Sequence, residues 1–180
     1  MNRQTRHKNI YISTLALVAL AAGGCKAKLE PAPFTTGSVL TYAVIEQVGN
    51  SQEHYQLTIR FTQEGDKLLA KFEGPTLNPT AELDLEGRPT KGLLDFAMKT
   101  GGMVDLHLLY LPTKDRRNGV VTKAGRIVKS RPYERWTAWE IMGQTGGSGA
   151  RYYEVNMGVL VGWQLTFPGK EIVAKLVDSQ

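Results

Sequence analysis

EHYQLTIRFT, residues 53–62, decides the fold class. Tyr55, Leu57, Ile59 and Phe61 alternate with His54, Gln56, Thr58 and Arg60. Successive side chains of a strand point to opposite faces, so this period of two makes a strand with one dry and one wet face. An amphipathic helix would space its apolar residues three and four apart. The pattern recurs on both sides of this segment. Ser38 to Val48 reads as the preceding strand, with Gly49-Asn50-Ser51 as the turn between them. Lys67 to Glu73 is a third strand, after the turn Glu64-Gly65-Asp66. Ala81, Leu83 and Leu85 alternate with Glu82, Asp84 and Glu86 in a fourth.

Further along, Val104, Leu106, Leu108 and Tyr110 alternate with Asp105, His107 and Leu109, up to Pro112, which has no N–H for a ladder. Strands are expected over Arg135–Met142, Arg151–Val155, Val159–Phe167 and Glu171–Val177. In Val159–Phe167 the residues Val159, Val161, Trp163, Leu165 and Phe167 share one face. GQTGGSG, Gly143 to Gly149, reads as a hairpin loop and Phe167-Pro168-Gly169-Lys170 as a tight turn. KGLLDFAMK, Lys91 to Lys99, fits a short helix or a strand and leans to helix. Many short strands punctuated by turns predict a mainly β chain. The expected form is an antiparallel meander making a curled sheet, half-barrel or barrel, with at most one or two short helices. No βαβ unit appears, so nucleotide-binding α/β folds lose support.

The N-terminus has a different character. Arg3, Arg6, His7 and Lys8 precede IYISTLALVALAA, an uncharged run of 13 residues from Ile10 to Ala22. A membrane-spanning helix needs about 20 apolar residues. A basic start, a short apolar run and then small residues is the layout of a secretory signal peptide. A buried helix is the alternative, but it would show a polar face.

Ala22-Gly23-Gly24-Cys25 resembles the bacterial lipobox, with Ala at position 22 where Leu is commoner. The resemblance implies cleavage before Cys25 and acylation there by diacylglycerol and a palmitate-type chain. Each buried CH₂ contributes about 0.8 kcal/mol, and stable anchoring takes about two chains. Cys25 is the only cysteine, so no intramolecular disulfide forms. A catalytic or a core thiol are the alternatives. Lys26 follows where an Asp would resemble an inner-membrane retention signal. The expected location is therefore the envelope of a Gram-negative bacterium, at the outer membrane facing the periplasm.

These readings divide the chain into a signal peptide (1–24), a lipidated cysteine with a tether (25–36) and one β-domain (37–180). Pro31 and Pro33 stiffen the tether, which at about 3.1 Å per residue reaches about 30 Å at most. Lys26 and Lys28 either touch anionic headgroups or simply solvate the linker. The formal charge of +5 comes from 22 Lys and Arg against 17 Asp and Glu. Removing Arg3, Arg6 and Lys8 leaves 19 against 17, or +2. That balance provides no basic field of the kind nucleic-acid binding needs.

Chemistry-bearing patterns are sparse. His54 and His107 lie on the polar faces of expected strands, and no H-x-x-H or second Cys accompanies them, so neither a metal site nor a cofactor is expected. There is no G-x-S-x-G and no G-x-x-x-x-G-K-[ST]. Glu82, Asp84 and Glu86 put three carboxylates on one strand face. A charged solvent face explains them, although paired carboxylates in a cleft can run glycoside hydrolysis. Lys114, Arg116 and Arg117 are either a solvated loop or an anion-binding rim. Tyr133, Trp136, Trp139, Tyr152, Tyr153 and Trp163 crowd the last third. Trp136 and Trp139, three apart, face opposite sides of a strand. One side fills the core. The others fill it too, or line an apolar groove or protein contact surface.

A lipobox followed by amphipathic strands resembles the curled-sheet periplasmic lipoproteins, with the lipoprotein carrier and outer-membrane receptor group (LolA/LolB-like) as the characterised relatives. Tyr152-Tyr153-Glu154-Val155-Asn156-Met157-Gly158-Val159-Leu160, the Pro168-Gly169 turn and Leu109-Tyr110-Leu111-Pro112 to Gly119 resemble related periplasmic families. The resemblance covers roughly residues 37–180 and implies a cavity for acyl chains. The expectation is a non-catalytic module, anchored through Cys25, that binds a lipid or other apolar ligand on the concave face of the sheet. An accessory subunit of an envelope complex, with no small ligand, is the alternative.

Overall fold

The computed structural model describes residues 32–75, 78–84, 89–91, 109–122, 125–144 and 148–180. The strands are β1 (Val39–Val48), β2 (Ser51–Glu64), β3 (Lys67–Glu73), β4 (Thr80–Leu83), β5 (Pro89–Lys91), β6 (Val121–Thr122), β7 (Gly125–Tyr133), β8 (Trp136–Gln144), β9 (Ser148–Glu154), β10 (Leu160–Phe167) and β11 (Lys170–Ser179). They form one 11-stranded antiparallel sheet in the order β5-β4-β3-β2-β1-β11-β10-β9-β8-β7-β6. The protein is thus mainly β, an open and curled antiparallel sheet. The chain walks outward from β1 to β5, and later walks inward from β6 to β11. The first and last strands meet at the centre, where Val39 and Gln180 exchange both main-chain hydrogen bonds at 3.0 Å.

Residue 53–62 alternation carries through into this sheet. Leu57, Ile59 and Phe61 of β2 are buried while Gln56, Arg60 and Thr62 are exposed. The register extends the dry face sideways: Tyr42 stands opposite Leu57, Ile59 opposite Phe72, and Ala70 opposite Ala81. On the other side Leu176 stands opposite Tyr42, and Trp163 opposite Ala174. Residues in register share a face, so one inner face runs from Leu83 of β4 through β1 and β11 to Ile141 of β8. Phe34 stacks on Phe61 at a centroid distance of 4.2 Å. Ala32 and Phe34 are buried, so the packed domain begins inside the stretch expected to be tether.

Three strands escape the sequence reading: β5, β6 and β7. The alternation of β7, GRIVKSRPY, is interrupted by a register shift between Ile127 and Lys129. Its four Arg, Lys and Pro residues hide what pattern is left. β8 starts at Trp136, because Glu134 and Arg135 make the hairpin turn, with Glu134 at φ 50°. Val104 to Leu108, residues 92–99 of the expected helix, Leu85 and Glu86 lie outside the described residues. Lys91 is in β5. Among the described residues the only helical turn is the 3₁₀ segment Thr113–Asp115.

The segment Leu109–Leu111 runs antiparallel beside Gly158–Leu160. Tyr110 bridges Val159, Leu111 N–H donates to Gly158 O at 2.8 Å, and Leu160 N–H donates to Leu109 O at 3.0 Å. A register shift between Leu160 and Gly162 marks a bulge. It breaks the strict alternation expected for Val159–Phe167, and Leu160 is as buried as Val161.

Candidate functional site

β8, β9 and β10 position the aromatic cluster, and they divide it. Trp139 stands opposite Tyr153, Ile141 opposite Arg151, and Arg151 opposite Trp163. These residues belong to the inner face. Tyr153, Arg151 and Trp163 are all buried, and the Trp163 ring lies 4.9 Å from that of Tyr42. The Tyr42 hydroxyl donates to Leu160 O at 2.8 Å, and its burial raises the phenol pKa well above its ordinary value. Arg151 puts a guanidinium into this otherwise apolar face; sequence reading passed over it, because nothing in RYYEV signals that the arginine alternates with Tyr152 toward the interior.

Tyr152 and Trp136 belong to the outer face. Tyr152 stacks on Tyr133 at 3.9 Å, and Tyr133 Oη donates to Ala174 O at 3.3 Å. Tyr133 therefore reaches from the tip of the β7–β8 hairpin back across the outer face of β10. Gly162 makes room for it: a Cβ there would lie 2.3 Å from Tyr133 Oη. Burial is the main cause that raises the pKa of Tyr133 and of Tyr152, with the neighbouring phenol adding for the first and Glu140 for the second. Glu140, itself buried, accepts from Arg131 at 3.2 Å. Trp136 packs under the Arg135 guanidinium at 4.9 Å. So Trp136, Trp139, Tyr152, Tyr153 and Trp163 do not line one groove. Three occupy the inner face and two the outer.

The expected anion rim also divides. Arg116 Nε donates to Leu111 O at 2.8 Å and Nη2 to Met157 O at 2.9 Å, and Nη1 donates to Asn156 O. Its guanidinium also covers the Tyr110 ring at 5.4 Å. This planar fork ties the segment after Leu109 to the β9–β10 turn. Glu154 completes that turn from below, accepting the N–H groups of Asn156 and Met157. Gly158, at φ 70°, is required there because a Cβ would lie 2.3 Å from Leu111 O. Lys114 and Arg117, in contrast, are exposed.

The remaining candidates are solvent-facing or lie beyond description. His54 is exposed. Glu82 pairs with Lys67 at 3.3 Å and Lys91 at 3.9 Å, and Glu86 and His107 lie outside the described residues, as do Ala22, Gly23, Gly24 and Cys25. Among the described residues no three His, Cys, Asp or Glu side chains are grouped to hold a metal ion, and no helix is long and apolar enough to cross a membrane. Neither a family model nor a curated protein matches the chain.

Proposed function

We propose that this chain is a lipid-anchored, non-catalytic module of the bacterial cell envelope, and that it binds a lipid or other apolar ligand against the inner face of its sheet. The observation that carries the reading is the width of that face. It runs through Leu83, Ala70, Ile59, Tyr42, Ala174 and Trp163, across two halves of the chain, on a sheet that does not close, and the Arg151 guanidinium enters it only beyond Trp163. A sheet with one wide dry face must cover it with its own chain or with something apolar from outside. The lipobox-like Ala22-Gly23-Gly24-Cys25 supports the anchor, and Lys26 supports the outer membrane as its location.

Native mass spectrometry of protein produced from Lys26 onward tests the ligand. Co-purified lipid mass, or dye displacement by fatty acid or phospholipid, is the expected result. A clean apo mass with no displacement overturns it and leaves the accessory-subunit role, which crosslinking in membranes would read. The intact mass of protein extracted from membranes tests the anchor: a chain beginning at Cys25 and carrying diacylglyceryl and acyl groups is expected, and an unmodified Cys25 overturns it.

A further inference from the structure

The strand register fixes which loops lie at the end of the sheet where the chain enters. Val39, the first residue of β1, stands opposite Arg60 and bonds Gln180. Just before it, Gly37 N–H donates to Phe61 O, and Gln63 N–H donates to Thr36 Oγ1. The chain therefore comes in from the direction of Cys25 at this end. β10 begins at the same end, since Gly162 stands opposite Lys175 and Leu160 precedes it. The β9–β10 turn and the Arg116 clamp are consequently at the entry end too. The opposite end holds Val48, Gly49 and Lys170, where Val48 stands opposite Lys170.

We propose that this entry-end rim, formed by Lys114, Arg117 and Met157, rests on the surface of an anionic bilayer. The proposal rests on the reading that Cys25 is acylated. Only residues 26–31 separate Cys25 from buried Ala32, a span of about 20 Å at full extension. A domain held that close must present its entry end to the headgroups. On its β9–β10 side this end combines exposed cations with an apolar tip. Met157 is 50% exposed at the tip of the β9–β10 turn. Lys114 and Arg117 are exposed on either side of Arg116, whose side chain bonds the main-chain oxygen of Met157. Arg116 thereby fixes the two cations beside the apolar tip on a rigid base. Of the acids at this end, Asp115 sits between them in the 3₁₀ turn, Glu134 is paired with Lys175 at 2.6 Å, Asp178 accepts from Gln180 at 3.3 Å, and Glu64 and Asp66 are exposed in the β2–β3 turn, which β1 and β11 separate from the β9–β10 turn.

Protein produced from Lys26 onward, which lacks both Cys25 and the apolar run Ile10–Ala22, isolates the rim. It is sedimented with vesicles of phosphatidylcholine alone or with about 30% phosphatidylglycerol, at low and at high salt. Binding to the anionic vesicles that salt abolishes is expected. Each basic side chain near the surface contributes about 1 kcal/mol, so the pair Lys114→Glu and Arg117→Glu should weaken binding about tenfold or more. Met157→Ser should weaken it further, and Lys129→Glu, exposed in the middle of β7, should not. Equal binding by Lys114→Glu/Arg117→Glu and its parent, or no preference for anionic lipid, overturns the proposal. The intact mass of the wild-type protein extracted from membranes reads acylation separately. An unmodified Cys25 overturns the anchor, whatever the vesicles show.

Discussion

Arg116 is the residue whose role the structure changes most. Read in the run Lys114-Asp115-Arg116-Arg117 it is one of three loop cations. In the fold its side chain donates to three main-chain carbonyls from two segments about forty residues apart in sequence. Removing it strands those acceptors. Hydrogen bonds to charged groups contribute about 1.5–3 kcal/mol each but are not additive, so Arg116→Ala should cost about 2–4 kcal/mol in urea unfolding. Arg116→Lys should recover little of that, because a point ammonium cannot reach all three oxygens. Lys114→Ala and Arg117→Ala, both exposed, should stay within about 0.5 kcal/mol of the parent. A smaller loss for Arg116→Ala than for these would remove the clamp from the account. Glu154 was equally illegible, since YYEVNMG shows a strand ending in a turn but not which carboxylate caps it.

At the scale of elements, the β7–β8 hairpin and β2 make contrasting cases. β2 was fully legible: the period of two specified both the strand and its buried face, and only its ends extend further, to Ser51 and Glu64. Phe61 carries much of that face, so Phe61→Ala should destabilise by about 3–5 kcal/mol, measured by thermal or urea unfolding. The hairpin was half legible. β7 holds Lys129, Ser130, Arg131 and Pro132 and has a shifted register, and a bulge cancels the alternation from which a strand is recognised. Its fixed position comes instead from Tyr133 seated over Gly162 and stacked on Tyr152. Gly162→Ala puts a methyl group within 2.3 Å of Tyr133 Oη and 2.7 Å of Ala174 O. The substitution should cost about 1–3 kcal/mol and weaken the near-UV tyrosine dichroism. An unchanged spectrum with unchanged stability would mean the hairpin tip does not rest there.

For the molecule as a whole, the phenols give a pH signature. Tyr42, Tyr55 and Tyr133 have pKa values raised chiefly by burial, Tyr55 also by Glu46, and Tyr152 is raised in the same direction. A group whose pKa is higher folded than unfolded stabilises the fold below its unfolded value and ceases to as the pH climbs past it. Tyrosine ionises near pH 10 when unfolded, so the folded chain holds protons there that the unfolded chain releases. The urea midpoint should therefore be flat from neutral pH to about 9 and fall steeply above 10. Tyr42→Phe, which also loses the bond to Leu160 O, should lower the neutral-pH midpoint by about 1 kcal/mol and blunt the alkaline fall. A midpoint that rises above pH 10 would contradict the burial of these phenols.

The sequence by itself determined that the chain is a β-protein with one wet and one dry face, because side-chain alternation is a local property written residue by residue. It also placed most turns, where Gly49, Gly65 and Gly169 supply positive φ, and it singled out the lone cysteine behind an apolar run. Tertiary structure alone decided that the first and last strands join the two halves, and that the consecutive strands β5 and β6 end up at opposite edges. It also divided the aromatics between two faces and gave Arg116 to the backbone while leaving Lys114 and Arg117 to solvent. Those outcomes depend on pairing between residues far apart in the chain. Register is set by the sum of many weak cross-strand contacts, and no short window of sequence contains that sum.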